Sequence, residues 1–186
     1  MYAYYSLAAD FAEPYLLDLT IRGALRRGIG LEVKTYKHWG HYRMSMQRRQ
    51  GPAIFSTHGR ASADSPSGSG EWAFSSLRYD ENGRRDWWTV SENFSANEPF
   101  AANLLIVLAC SADEVDWERY VRKGAFAVVS EGELTAGDCA SAVLRFWDRV
   151  PDLNSFDLTY SNVAQAWSDS PKFRVISGRA PASLSK

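Results

Sequence analysis

The sequence predicts an α/β domain built on a mainly parallel sheet, with helices on both faces and an added antiparallel hairpin. Two observations carry this. Short apolar or β-branched runs alternate with segments of helical spacing along the chain, the pattern that gives a parallel sheet. One of those runs, Asn103 to Ala109 (NLLIVLA), is apolar without interruption from Leu104 on, as fits a strand buried on both faces.

The elements follow in order. Ala3 to Ala8 reads as a first strand. Pro14 suits the start of a helix in which Leu17, Ile21, Ala24 and Leu25 share a face, and Arg26 and Arg27 fall in the last turn before Gly28. Leu31 to Tyr36 is a second strand and Tyr42 to Arg49 a weakly patterned helix, closed by Gly51-Pro52. Ala53 to Thr57 is a third strand, stopping at His58-Gly59. Arg60 to Gly70 has loop composition. Trp72 to Tyr79 and Asp86 to Val90 form a hairpin through Asp80-Glu81-Asn82-Gly83, whose Asn-Gly is a strong turn signal. After the apolar strand come a short helix at Val115 to Lys123, a strand at Phe126 to Ser130, and a helix from Thr135 toward Pro151 with Asp138 as its capping-box partner. A helix near Ser155 to Trp167 and a strand at Phe173 to Ile176 complete the reading of one domain over residues 1–186.

Composition narrows the function. The chain of 186 residues has a formal net charge of −1, with 45% hydrophobic and 23% charged residues. No global basic field exists to draw nucleic acid or anionic lipid, so neither is expected as a partner. The longest apolar stretch is far too short to span a membrane, and no signal peptide is visible, so a cytoplasmic location is expected. The seven tryptophans imply a rigid aromatic core or, alternatively, a partner-docking surface. Two cysteines, Cys110 and Cys139, are too few for a disulfide scaffold and fit a reducing compartment in which one of them is catalytic.

In parallel sheets, reactive groups gather beyond the carboxyl ends of the strands. Here two strands end on chemistry: AIFST on His58 and NLLIVLA on Cys110, 52 positions apart. A thiolate nucleophile needs a base that takes its proton and later protonates the leaving amine. Gly59, without a side chain, lets its N–H approach a substrate carbonyl and share an oxyanion hole with the N–H of Cys110. Either residue alone is weak evidence; the joint arrangement is specific.

The sequence resembles the CHAT branch of the caspase-like cysteine proteases, the clan of caspases, gingipains and separases. The resemblance is carried by FSTHG, DSPSGSGEWAFSSL, NLLIVLACSAD, YVRKGAFAVVSEGELTAGD, AVLRFWDRV and NVAQAW…FRVISG, covering about Ala53 to Gly178. In caspases the base likewise precedes the nucleophile by about 50 residues. The resemblance implies a caspase-like three-layer sandwich and peptide-bond hydrolysis without metal or other cofactor, by the dyad of His58 and Cys110. It also implies a protein substrate and control by a separate sensor or regulatory protein, as in prokaryotic (antiviral) defence or regulated cell death.

Specificity in this clan comes from a charged residue in the pocket for the residue before the cut, and an acid there selects Arg or Lys. Asp10, Glu133 and Asp138 are the candidates; a solvated loop acid, or a helix cap for Asp138, is the competing reading of each. His38 and His41 lack a cysteine pair to complete a metal site, and none is expected. Cys139, inside a helix, reads as packed and inert. The alternative function is a catalytically silent CHAT-like interaction module docking through the tryptophan-rich hairpin. A Rossmann-like nucleotide binder is disfavoured because no glycine-rich phosphate loop follows the first strand.

Overall fold

Strands and helices alternate through the computed structural model, which describes residues 1–5, 12–34, 39–65, 70–79, 85–150 and 158–179. In chain order they are β1 (Tyr2–Tyr5), α1 (Ala12–Arg26), β2 (Glu32–Lys34), α2 (Trp39–Arg48), β3 (Pro52–Ser56), β4 (Gly59–Arg60), β5 (Ala73–Tyr79), β6 (Arg85–Thr89), α3 (Val90–Asn93), β7 (Leu104–Leu108), β8 (Phe126–Ser130), α4 (Ala136–Arg149), α5 (Tyr160–Trp167) and β9 (Phe173–Ser177). The central sheet has the order β2-β1-β3-β7-β8-β9. Its first five strands are parallel, and β9 runs antiparallel to β8 at the edge. A second, antiparallel sheet has the order β4-β5-β6.

The continuous apolar run of β7 is explained by its two neighbours and two covered faces. None of its five residues is more than 1% exposed. Alternate residues divide between the faces, as strand geometry requires. Leu104, Ile106 and Leu108 meet one core cluster with Leu16 of α1, Phe146 and Trp147 of α4 and Val163 of α5. Leu105 and Val107 meet the other, with Met46 of α2, Trp72, Phe74 of β5, Phe94 and Trp117. Fully burying such a side chain is worth about 1.5–3 kcal/mol, so β7 anchors both layers. The tryptophans serve this interior: Trp72, Trp117 and Trp147 are at most 2% exposed, and Trp72 stacks on Phe74 with ring centroids 5.5 Å apart.

The helix ends follow their sequence signals. Gly28 adopts φ +63° after α1, and the Ile29 N–H donates to Ala24 O at 2.9 Å, a Schellman closure. The Arg27 guanidinium reaches Trp147 O at 2.8 Å and Val150 O at 3.1 Å, satisfying carbonyls at the C-terminus of α4 with a cation. Thr135 and Asp138 form the expected capping box of α4.

Two expectations need correction. Val115 to Lys123 is not one helix; Ala112–Glu114 and Trp117–Arg119 are separate 3-10 turns. The Trp117 indole N–H donates to Ala112 O at 2.7 Å, and Val121 forms a bridge with Phe100, so two tertiary contacts take the place of a helical turn. The stretch after His58 is less irregular than its composition suggests, holding β4 and a 3-10 turn at Ser62–Asp64. The face bearing Trp72 is covered, as expected, by a helix, α2, together with the antiparallel sheet and the turns. The hairpin tip Asp80 to Gly83, the expected first turn of the last helix at Ser155, Asp10 and His38 lie outside the described residues. Among the described residues no helix is long and apolar enough to cross a membrane.

Candidate functional site

β3 and β7 pair in parallel, from Pro52 opposite Leu104 to Ser56 opposite Leu108. Partners across this pair differ by 52 positions throughout, the same interval that separates His58 from Cys110. Each of these two residues lies two places past the last paired position of its strand. The pairing runs on toward them, since the Thr57 N–H donates to Leu108 O at 3.1 Å. Neighbouring strands lie about 4.8 Å apart, which sets the scale of the separation at the rim.

Parity then decides the face. Ile54, Ile106 and Leu108 point to the cluster beneath α1, α4 and α5, whereas Phe55, Val107 and Ala109 point to the opposite one. His58 continues the series of Ile54, and Cys110 that of Ile106 and Leu108, so both side chains leave on the helical face. They line one cavity of about 250 Å³ together with Leu16, Leu108, Leu134 and Ala136. The thiol's direction is held by the Leu134 N–H, which donates to Sγ at 3.4 Å. His58 is half-buried with its Nε2 shielded from solvent, and its carbonyl accepts from Ser75 N–H at 3.0 Å.

The backbone around the thiol is fixed from several sides. The Trp72 indole N–H donates to Cys110 O at 2.8 Å. Gly59 lies so near that a Cβ built on it would fall 2.1 Å from Cys110 O and 3.0 Å from Cys110 N. Only glycine allows this approach. In β4–β5 the ladder closes through residues 58 and 75, which leaves the Gly59 N–H on the side away from β5. Ser111 follows with φ 53°, the only non-glycine at positive φ among the described residues. It is held there by the bond from its N–H to Gly132 O at 2.6 Å. Gly132, itself at φ +62°, donates its N–H to Asp113 Oδ1 at 3.1 Å. Backbone in such sparsely populated regions costs about 1–3 kcal/mol and collects at functional sites.

Cys110 also borders a second, polar recess of about 570 Å³ with Gly59, Arg60, Asp64, Ser111 and Glu133. Glu133 is exposed, and its carbonyl accepts from the Lys172 ammonium at 2.9 Å. The Arg60 guanidinium sits 4.6 Å over the Trp87 ring. Asp138 lines neither space. Its Oδ2 accepts from the Thr135 N–H and hydroxyl, each at 2.8 Å. The backbone amide first and the hydroxyl second hold its carboxyl below the ordinary range. A larger groove of about 850 Å³, bordered by Glu71, Phe94, Glu114 and Tyr120, lies apart from both reactive groups.

The structure thus brings together His58, Gly59 and Cys110, with Glu133 at the edge of the second recess, and turns Asp138 into a helix cap. Sequence reasoning missed Trp72, Ser111 and Leu134, whose roles depend on contacts across the fold. Cys139 is packed against the core as expected, and it also lines the Cys110 cavity. The set offers a thiol, an imidazole and close-packed amides at one rim, the parts of a nucleophilic acyl transfer. A scan against models of known protein families finds no match for the chain, and neither does a search among curated proteins.

Proposed function

We propose that the chain is a cysteine endopeptidase of the caspase-like type, with the sheet and its two covers forming a caspase-like three-layer sandwich. The observation that carries this is the common level and common face of His58 and Cys110 beyond two paired parallel strands. In the proposed reaction His58 takes the proton of Cys110, and the sulfur bonds to the scissile carbonyl carbon. The amides of Gly59 and Cys110 receive the negative oxygen. Collapse of the adduct breaks the C–N bond as His58 gives its proton to the leaving amine, leaving a thioester on Cys110. Water, deprotonated by His58, then attacks the thioester and releases the carboxylic acid and the thiol. The substrate is a protein partner, and a separate sensor controls the encounter, as in a prokaryotic defence or cell-death effector.

The silent interaction module has less support, because Trp72 and Phe74 are turned inward and at most 2% exposed, which leaves, of the hairpin's tryptophans, only Trp87 and Trp88, each partly buried, to dock a partner. The test is labelling by a peptide carrying a thiol-directed electrophile. Modification is expected at Cys110, absent in Cys110→Ala and slowed at least ~100-fold in His58→Ala. Equal labelling of wild type and His58→Ala would remove the basis for the dyad.

A further inference from the structure

We propose that the 250 Å³ cavity beside Cys110 receives the side chain of the residue whose carbonyl is attacked, and that it selects an uncharged apolar side chain of leucine or methionine size. This deepens the protease reading and rests on it. The floor is apolar: Leu16 and Leu108 are at most 2% exposed, and Leu134 and Ala136 form the rim. Among the described residues that line it, none carries a carboxylate, ammonium or guanidinium. Two of the three hydroxyl-bearing residues that line it, Thr57 and Thr135, have their hydroxyls engaged, and the third, Ser56, is neutral. Thr57 Oγ1 donates to Ser75 O at 2.9 Å, and Thr135 Oγ1 donates to Asp138 Oδ2 at 2.8 Å.

A guanidinium or carboxylate entering this space gives up its hydration for no ionic partner among those residues. The volume is below the roughly 300–1,000 Å³ of sites that hold a whole small molecule, and it suits one side chain. The second recess does not reverse this preference. Its Arg60, Asp64 and Glu133 are of mixed sign and exposed, so water and salt level their discrimination. In this proposal shape and apolarity take the place of a selective acid at Glu133 or Asp138; Asp10, the third candidate, lies outside the described residues. A single methylene in a hydrophobic pocket changes selectivity by about 10- to 200-fold.

The experiment measures labelling rates of the full chain, mapped to Cys110, with peptidyl vinyl sulfones that differ only in the residue next to the electrophile. Leu and Met are expected to react at least ~10-fold faster than Arg or Asp. Ala136→Phe narrows the rim at an exposed helix position, and it should lower the ratio of the Leu-probe rate to the Ala-probe rate ~10-fold. Fastest reaction with Arg or Asp would overturn the pocket assignment and leave the nucleophile standing, as would an equal loss for all probes in a folded Ala136→Phe. No reaction at Cys110 with any probe would take down the protease reading and this inference with it.

Discussion

Replacing Gly59 with alanine tests how the nucleophile is held. The new Cβ would lie 2.1 Å from Cys110 O, while real carbon–oxygen contacts begin above about 3 Å. The carbonyl belongs to the backbone and is fixed by the Trp72 indole, so it cannot swing aside as a long side chain would. Relief requires roughly 1 Å of movement in the segment that carries the thiol and the Cys110 amide. Overpacking of this kind costs about 1–3 kcal/mol, which lowers Tm by about 2–12 °C in a domain of this size. A 1 Å misplacement at a reacting centre costs about 100-fold in rate. The assay pairs thermal unfolding with the rate at which a peptide electrophile labels Cys110, using Gly30→Ala as control, because a Cβ at Gly30 meets nothing within 4 Å. Wild-type Tm and labelling rate in Gly59→Ala would refute the close approach and the oxyanion role built on it.

Other perturbations separate stability from chemistry. Trp72→Phe removes the N–H that Cys110 O accepts and leaves a ring in place; a loss of about 1–3 kcal/mol and slower Cys110 labelling are expected by denaturant titration and mass spectrometry. Gly23→Ala forces a Cβ to 2.3 Å from the buried Trp147 ring; it should destabilise by about 1–3 kcal/mol while the labelling rate at moderate temperature stays at the wild-type value. Cys139→Ser should retain labelling at Cys110, and transfer of all labelling to Cys139 in the wild type would reverse the assignment of the nucleophile. Asp138→Ala should cost about 1 kcal/mol through the lost capping box. Because Thr135 holds the Asp138 carboxyl below its ordinary range, that stabilisation is present above the unfolded carboxyl's pKa and disappears as pH falls through the folded one. The Tm gap between Asp138→Ala and wild type should therefore be constant near neutrality and shrink in acid.

Much of the central sheet was legible because its signals are local or strictly periodic. A short, uninterrupted apolar run with β-branched residues favours a strand covered twice, and β7 is one. The level of His58 with Cys110 was legible for the same reason: two strands that stop at the same height leave their next residues together. Contacts that cross the fold were not. Nothing near Trp72 in the sequence announces that its indole reaches Cys110 O, and nothing near Val121 announces a bridge to Phe100 that overrides helical spacing. The meeting of Gly59 with the Cys110 backbone is a property of two loops packed together, and composition says only that a glycine is present. Cys139 was assigned to a helix correctly, yet which side of α4 borders a cavity depends on how α1 and β7 flank it.

The even-and-odd alternation along β7 makes the thiol sensitive to chain length in an unusual way. A residue inserted between β3 and β7 outside the elements β4, β5, β6 and α3 lengthens a connection and leaves the pairing of β3 with β7 free to stay as it is. The same residue inserted between Leu108 and Cys110 would turn the sulfur through the sheet, toward the side lined by Phe55 and Trp72. Two inserted residues would return it to the original side, displaced by about 6.6 Å along the strand. The fold therefore tolerates drift in the distance between base and nucleophile along the chain, but not in the two-residue steps that connect each of them to its strand.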